Sequence, residues 1–201
     1  MDQASEWFVQ HLIDTLGEYS SLVGIETAHP DWGLVLGIVY QHFPEPGLTT
    51  GFTYGLSAAL HPEWQTTRPE LCLTVESLDA DWIVALVQLV EWHRANHPFT
   101  PGSLFHFGKA LSPDSLMDSL LIFDERGLGL EAPPPPVGPS QLFEPLPSPS
   151  GPLQLYRALP LYHDEVGLIK KVGIRKFTGL PEFQWFSGQR DDLSKIYHVG
   201  G

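Results

Sequence analysis

A single cysteine, Cys72, stands in a chain of 201 residues, so no internal disulfide can form and a reducing compartment suits the protein. Cys72 lies in an apolar run and not beside His or Lys, which gives it the role of a small buried hydrophobe. Basic residues are scarce, with 11 Lys and Arg against 24 Asp and Glu and a formal charge of -13. That balance argues against nucleic acid and anionic membrane as partners and makes a basic protein the electrostatic complement. No stretch approaches the roughly 20 apolar residues that cross a bilayer. The N-terminus opens with Asp2, Gln3, Ser5 and Glu6 and carries no basic leader, so a cytoplasmic location is expected. Glycine-rich phosphate loops are also missing, because Gly127-Leu128-Gly129 stops short of either nucleotide fingerprint.

What is present is enough apolar sequence, 42% of residues, for one domain spanning 1–201. Its centre is the stretch Phe52 to Glu76. Leu71, Leu73 and Val75 alternate with Glu70, Cys72 and Thr74, the period-two pattern of a strand. Before them Phe52, Tyr54 and Leu56 alternate with Gly51, Thr53, Gly55 and Ser57, so one face carries bulk and the other lets a neighbouring element approach closely. Leu34 to Phe43 is nearly continuous in apolar residues, as in a strand covered on both faces. Pro44, Pro46 and Gly47 then turn it back into an antiparallel pairing with Thr49 to Ser57.

Helical spacing predicts a helix from Asp2 to Leu16, stopped by Gly17, and another from Asp79 to about His93 with Trp82, Leu86, Leu89 and Val90 on one stripe. Leu104 to Phe107 and Ser119 to Phe123 are short strands. Leu153 to Leu161 is a longer one, followed by a helix that starts at His163, Asp164 and Glu165. From Ala132 to Pro152 proline dominates, a composition that favours polyproline II and predicts a surface excursion. The sequence after Gly179 reads as a wrapped aromatic tail, ordered only in part. The element order gives an α+β fold, a mixed and largely antiparallel sheet packed with helices.

Candidate chemistry is sparse. His93 and His97 share a helix face, but Arg94 stands where a zinc-protease motif needs its glutamate, and no third ligand is identifiable. The expectation is no metal and no cofactor. Gly55-Leu56-Ser57-Ala58-Ala59 lacks the closing glycine of a nucleophile elbow. Asp79 with Asp81, and Asp164 with Glu165, could be paired carboxylates for acid-base work, but each pair sits at a helix start, where capping explains it. No catalytic residues are assigned. Of the aromatics, Trp82 belongs on an apolar stripe, whereas Trp64, in the loop after Pro62, is the one least explained by burial.

Tyr54-Gly55-Leu56-Ser57, then Arg68-Pro69-Glu70-Leu71, then a helix with Trp82, resemble the core of the Suppressor-of-fused domain family. Leu159-Pro160-Leu161-Tyr162-His163-Asp164-Glu165-Val166 is similar to that family's later motif, and the matching segments run from about Leu34 to about Lys176. The resemblance implies an α/β sandwich and a non-enzymatic protein-binding role. Animal members restrain a transcription factor through a peptide added as a strand, and many bacterial members look like immunity proteins against toxins. A short, acidic chain without the animal proteins' long C-terminal domain fits the bacterial branch. That reading makes it an immunity-type protein that neutralises a basic toxin domain by stoichiometric binding. The alternatives are a regulatory adaptor that binds a peptide of another protein, and a hydrolase. The contact surface expected is Tyr54, Trp64, Asp79, Asp81, Tyr162, Asp164 and Glu165.

Overall fold

Alternation on the strands decides the layering. The computed structural model describes residues 3–25, 27, 30–59, 61–124, 126, 135–148 and 151–197. Among these residues seven strands form one sheet: β1 (Ser21–Ile25), β2 (Val35–Gln41), β3 (Thr49–Tyr54), β4 (Arg68–Val75), β5 (Leu104–His106), β6 (Ser119–Phe123) and β7 (Leu153–Leu161). Their spatial order is β1-β2-β3-β4-β7-β6-β5. Neighbours pair antiparallel except at the centre, where β4 and β7 run parallel with Arg68 opposite Leu153.

On one face lies α2 (Asp81–His93), covering Val35, Val39, Leu71, Leu73, Val75, Leu120 and Ile122. It lies low because the strands beneath it carry glycine. A Cβ on Gly51 would come within 2.3 Å of the Ile83 side chain, and one on Gly37 within 2.8 Å of Ile83 and Val87. The small-residue face of the Thr49 strand therefore seats α2, as its pattern indicates.

The opposite face is covered in two patches. Helix α1 (Gln3–Leu16) brings Phe8, Val9 and Leu12 onto Ile38, Tyr40, Phe52, Tyr54, Cys72, Leu153 and Leu155. Beside it α3 (Glu165–Val172), α4 (Ile174–Thr178) and α5 (Leu193–Ile196) bury Leu168, Phe177 and Leu193 against Leu121, Phe123, Leu159 and Leu161. Both faces are thus closed, which is why β2, second in the order, reads as an almost continuous apolar run.

Two expectations differ from what is found. The described part of the proline-rich segment, 135–148, is packed and does not stand off as a surface excursion. Val137, Leu142, Phe143 and Leu146 are buried in the same layer as α1. A 3-10 turn at Ser140–Phe143 and a bridge from Leu146 to Leu153 fix its backbone, and the Gln154 amide donates to the Phe143 carbonyl at 2.7 Å. Pro133 and Pro134 lie outside the described residues. The tail, expected to be ordered only in part, is tied down as far as Tyr197. The Glu76 amide donates to the Phe186 carbonyl at 2.6 Å, and a Cβ on Gly188 would meet Trp82 at 2.7 Å.

Candidate functional site

Strand β3 ends at Tyr54 and the chain turns sharply at Gly55, whose φ is 113°. Only glycine adopts that value without strain, and a Cβ there would also lie 2.4 Å from the Leu34 carbonyl oxygen. The turn redirects Leu56 from the α1 side of the sheet to the α2 side. Its backbone donors would be orphaned there, and the Glu70 side chain on neighbouring β4 receives them. Oε1 accepts from the Gly55 amide at 2.9 Å, the Ser57 amide at 3.0 Å and the Ser57 hydroxyl at 2.6 Å, while Oε2 accepts from the Thr53 hydroxyl at 2.7 Å. Glu70 is wholly buried. Burial pushes its carboxyl above the ordinary range, and the hydrogen bonds from Ser57, Thr53 and Gly55 offset that in part.

The same turn is held from the other side by Arg94, at the C-terminal end of α2. Its guanidinium is buried, pairs with Glu91 at 2.8 Å, and donates to the carbonyls of Gly55 at 3.0 Å and Gly33 at 2.9 Å. Gly55 is gripped through both its amide and its carbonyl. The Ser57 hydroxyl, the would-be nucleophile, is buried and spent on Glu70, so this serine fastens a turn.

Glu165 repeats the arrangement at the start of α3. It is fully buried and makes a two-pronged pair with Arg190, donated by Nη1 to Oε1 and by Nη2 to Oε2 at 2.7 Å. It also accepts from the amides of Tyr162 and Leu193, each at 3.0 Å. Arg190 lies over the rings of Tyr162, Phe177 and Phe183 at 5.3–5.8 Å, and its carbonyl accepts the Tyr162 hydroxyl at 2.6 Å. The second family-like block therefore pins the C-terminal tail, as the first pins the β3 turn.

These placements divide the seven residues expected at a contact surface. Tyr54 is buried against Phe8, their rings 5.7 Å apart, and Glu165 is wholly enclosed, so neither is offered to a partner. Trp64 is half-buried, its indole N–H donating to the Pro98 carbonyl at 2.7 Å beyond the far end of α2. Thirteen residues of helix, about 20 Å, separate that end from Asp81.

At the near end Asp79 accepts the Asp81 amide at 2.9 Å and the Ser112 hydroxyl at 2.9 Å. The capping expectation is met only in part: Asp79 receives the first amide of α2 from one position outside the cap residue Ala80, whereas Asp164, the cap residue of α3, makes no side-chain capping bond and Glu165 holds Arg190 instead. The single Ser112 proton is shared with Asp114, whose oxygen lies 2.7 Å away, and Asp114 receives Ser77 at 2.6 Å and the Trp82 indole at 3.1 Å. Burial alone would raise the Asp114 pKa, but these donors outweigh it and hold the carboxyl below its usual value.

The loop so fixed carries two adjoining depressions that share Pro113. One, about 360 Å³, is bordered by Asp81, Gln88 and Lys109, and the other, about 350 Å³, by Asp114, Leu116, Tyr162 and Gln189. Asp81 and Tyr162, far apart in sequence, thus border a connected surface. Asp81 and Asp164 are exposed and Tyr162 half-exposed. Leu116, with 80% of its surface in water, is the most exposed of the described large apolar side chains.

The helix-end histidines His93 and His97 both pack on Phe105, with ring centroids 5.3 and 4.6 Å away. Nδ1 of His97 accepts the Phe99 amide at 3.1 Å, and burial lowers the pKa of both imidazoles. Nothing in the sequence points to the roles of Arg94 and Arg190, and Glu70 stands there only as part of a strand and of the first family-like block. A lone charge in an apolar surround was the available signal for Glu70, since such a charge needs partners.

Among the described residues no helix is long and apolar enough to cross a membrane. No protein-family model and no curated protein matches the sequence. The backbone, in contrast, matches solved structures along nearly its whole length. A chain of the Sufu-Fu complex superposes with a TM-score of 0.64 at 13% identity, over 97% of this chain and 94% of that one. A Suppressor-of-fused homologue from Neisseria gonorrhoeae gives 0.64 at 14% identity, over 94% and 96%. Drosophila Suppressor of Fused gives 0.63 at 14%, over 98% of this chain but 55% of the longer one. The fold is Suppressor-of-fused-like.

Proposed function

We propose that this Suppressor-of-fused-like chain is a non-enzymatic protein-binding module, and that it acts as an immunity-type protein by covering a basic toxin domain in a stoichiometric complex. The observation that carries the reading is the separation of two kinds of acidic residue. Glu70 and Glu165, the two glutamates within the family-like motifs, are buried and consumed by internal donors, which suits fold maintenance and not acid-base turnover. Asp81 and Asp164 remain exposed on a chain of formal charge -13.

The contact surface is the pair of depressions on either side of Pro113, with Leu116 as an apolar anchor, Asp81 and Tyr162 on their borders, and the exposed Asp164 two residues beyond Tyr162 in the chain. Charge of this sign steers a basic partner and raises the on-rate, while a few desolvated contacts slow dissociation. A solved neighbour is itself the Sufu-Fu complex, which supports a binding role for the fold and leaves the partner's identity to experiment.

The test takes the untagged protein and a panel of basic toxin domains. Binding at 1:1 that abolishes the toxin's activity is expected, with affinity reduced at least tenfold in the combined Asp81→Asn and Asp164→Asn variant and unfolding unchanged. A peptide-sized partner bound without inhibition would move the assignment to a regulatory adaptor. Turnover by the isolated chain would overturn it in favour of a hydrolase.

A further inference from the structure

The strand ladders bring three potential metal ligands together at one corner of the sheet, from positions the sequence keeps 12 and 45 residues apart. His106 closes β5 and pairs with Ser119, the first residue of β6, which pairs in turn with Leu161, the last of β7. Asp118 immediately precedes β6 and His163 follows β7 by two residues. Backbone bonds fix the corner: the Phe107 amide donates to the Asp118 carbonyl at 2.8 Å and the Asp118 amide to the Leu161 carbonyl at 3.1 Å. Each of His106, Asp118 and His163 offers a ligand atom, and these lie within 4.8 Å of one another.

From this geometry we infer that His106, Asp118 and His163 form a binding site for a divalent first-row transition metal ion of the zinc type. The two imidazoles face each other through Nδ1 at 3.2 Å, and Nδ1 of His106 is 3.6 Å from Oδ1 of Asp118. An ion with tetrahedral bonds of roughly 2.0–2.1 Å holds its ligand atoms about 3.3 Å apart, so both separations match the edges of such a site. Without an ion, two neutral Nδ1 atoms at this distance must share one proton, since one must donate for the other to accept. A metal ion takes the place of that proton and receives both lone pairs.

The donor set also selects the ion. Two imidazoles and one carboxylate suit zinc, cobalt, nickel or iron(II) better than calcium or magnesium, which favour oxygen ligands throughout. Ser119 supplies the outer support: its hydroxyl donates to Asp118 Oδ1 at 2.9 Å and lies 3.2 Å from Nδ1 of His106. Such partners orient ligands, and losing one costs about 10- to 100-fold in affinity. His106 and His163 are exposed, so the ion reaches the site from solvent and keeps at least one position for water or for an incoming side chain.

The experiment titrates untagged, chelator-treated protein with Zn²⁺, and separately with Co²⁺, whose visible absorption intensifies in four-coordinate nitrogen and oxygen surroundings. Expected are one ion per chain, a cobalt spectrum of that type, and a rise in thermal midpoint with Zn²⁺ through mass action. His163→Ala and Asp118→Asn should each lose at least a hundredfold in affinity and the cobalt band, and Ser119→Ala about tenfold. His93→Ala with His97→Ala should change neither. Because His106 and His163 are exposed, their substitution leaves the core intact, and the unfolding transition of each metal-free variant checks this. No binding at millimolar Zn²⁺, or binding that survives His106→Ala and His163→Ala together, would overturn the assignment.

Discussion

Replacing Glu70 by alanine separates a structural carboxylate from an incidental one. The change removes the acceptor for two hydroxyls and two backbone amides in a wholly buried place. The Thr53 and Ser57 hydroxyls can rotate towards other acceptors, but the Gly55 and Ser57 amides are fixed by the turn. At about 1–3 kcal/mol for each orphaned donor, plus a cavity, the loss is about 4 kcal/mol, a large share of a typical domain's stability.

Glu70→Gln serves as the control. Its carbonyl can keep the three donors on Oε1 and its amide can donate to the Thr53 oxygen, so it should cost about 1 kcal/mol or less. Urea unfolding of the three proteins at one pH provides the numbers. The raised pKa adds a signed check. A carboxyl whose folded pKa lies above its ordinary 4.5 contributes stability that is fully present below that value and is lost as pH rises through the folded pKa. Wild type should therefore lose stability relative to Glu70→Gln as pH rises from about 4.5. An alanine variant within about 1 kcal/mol of wild type, or a glutamine variant as damaged as alanine, would refute the clamp.

The second clamp should behave alike: Arg190→Ala leaves Glu165 buried and unpaired and is expected to cost about 3–5 kcal/mol in urea unfolding. Leu142→Ala, in the proline-rich segment, should cost about 2–4 kcal/mol, whereas a true surface excursion would show almost none. Asp114 works in the opposite pH sense to Glu70. Its pKa is depressed, so its stabilisation is present above its ordinary 3.8 and disappears as pH falls through the folded value. The stability gap between wild type and Asp114→Asn, followed by thermal unfolding in acid, should close below about pH 3.8.

Much of this layering was legible because local pattern and tertiary environment agree. Leu71, Leu73 and Val75 do face α2 while Cys72 faces α1, and Gly51 does make room for a helix. Edge strand β1 was not legible, since Ser21–Ile25 is short and mostly exposed and carries little alternation. Nor was the parallel pairing of β4 with β7, whose connection includes α2, β5 and β6 and whose register depends on contacts far apart in sequence. Proline count concealed the four apolar residues Val137, Leu142, Phe143 and Leu146, because composition reports backbone preference and says little about which side chains find a cover.

At the site the limits have a similar cause. An acid at a helix start looks the same whether it receives the helix's first amide, as Asp79 does, or holds an arginine from the tail, as Glu165 does. The difference lies in Arg190, 25 residues away. Gly55 read as part of a small-residue strand face, but its positive φ belongs to a turn that the alternating pattern ran through. His106, Asp118 and His163 have no motif spacing at all, since three strand ends and not one helix bring them together.

The most direct measurement of the central claim is the affinity for a basic toxin domain as a function of salt, with association and dissociation rates resolved, for wild type and for the Asp81→Asn, Asp164→Asn variant. Binding at 1:1 should weaken as salt rises, mainly through a falling on-rate, and the variant should bind at least tenfold more weakly with an unchanged unfolding midpoint. An affinity indifferent to salt, or a variant that binds as tightly as wild type, would contradict it.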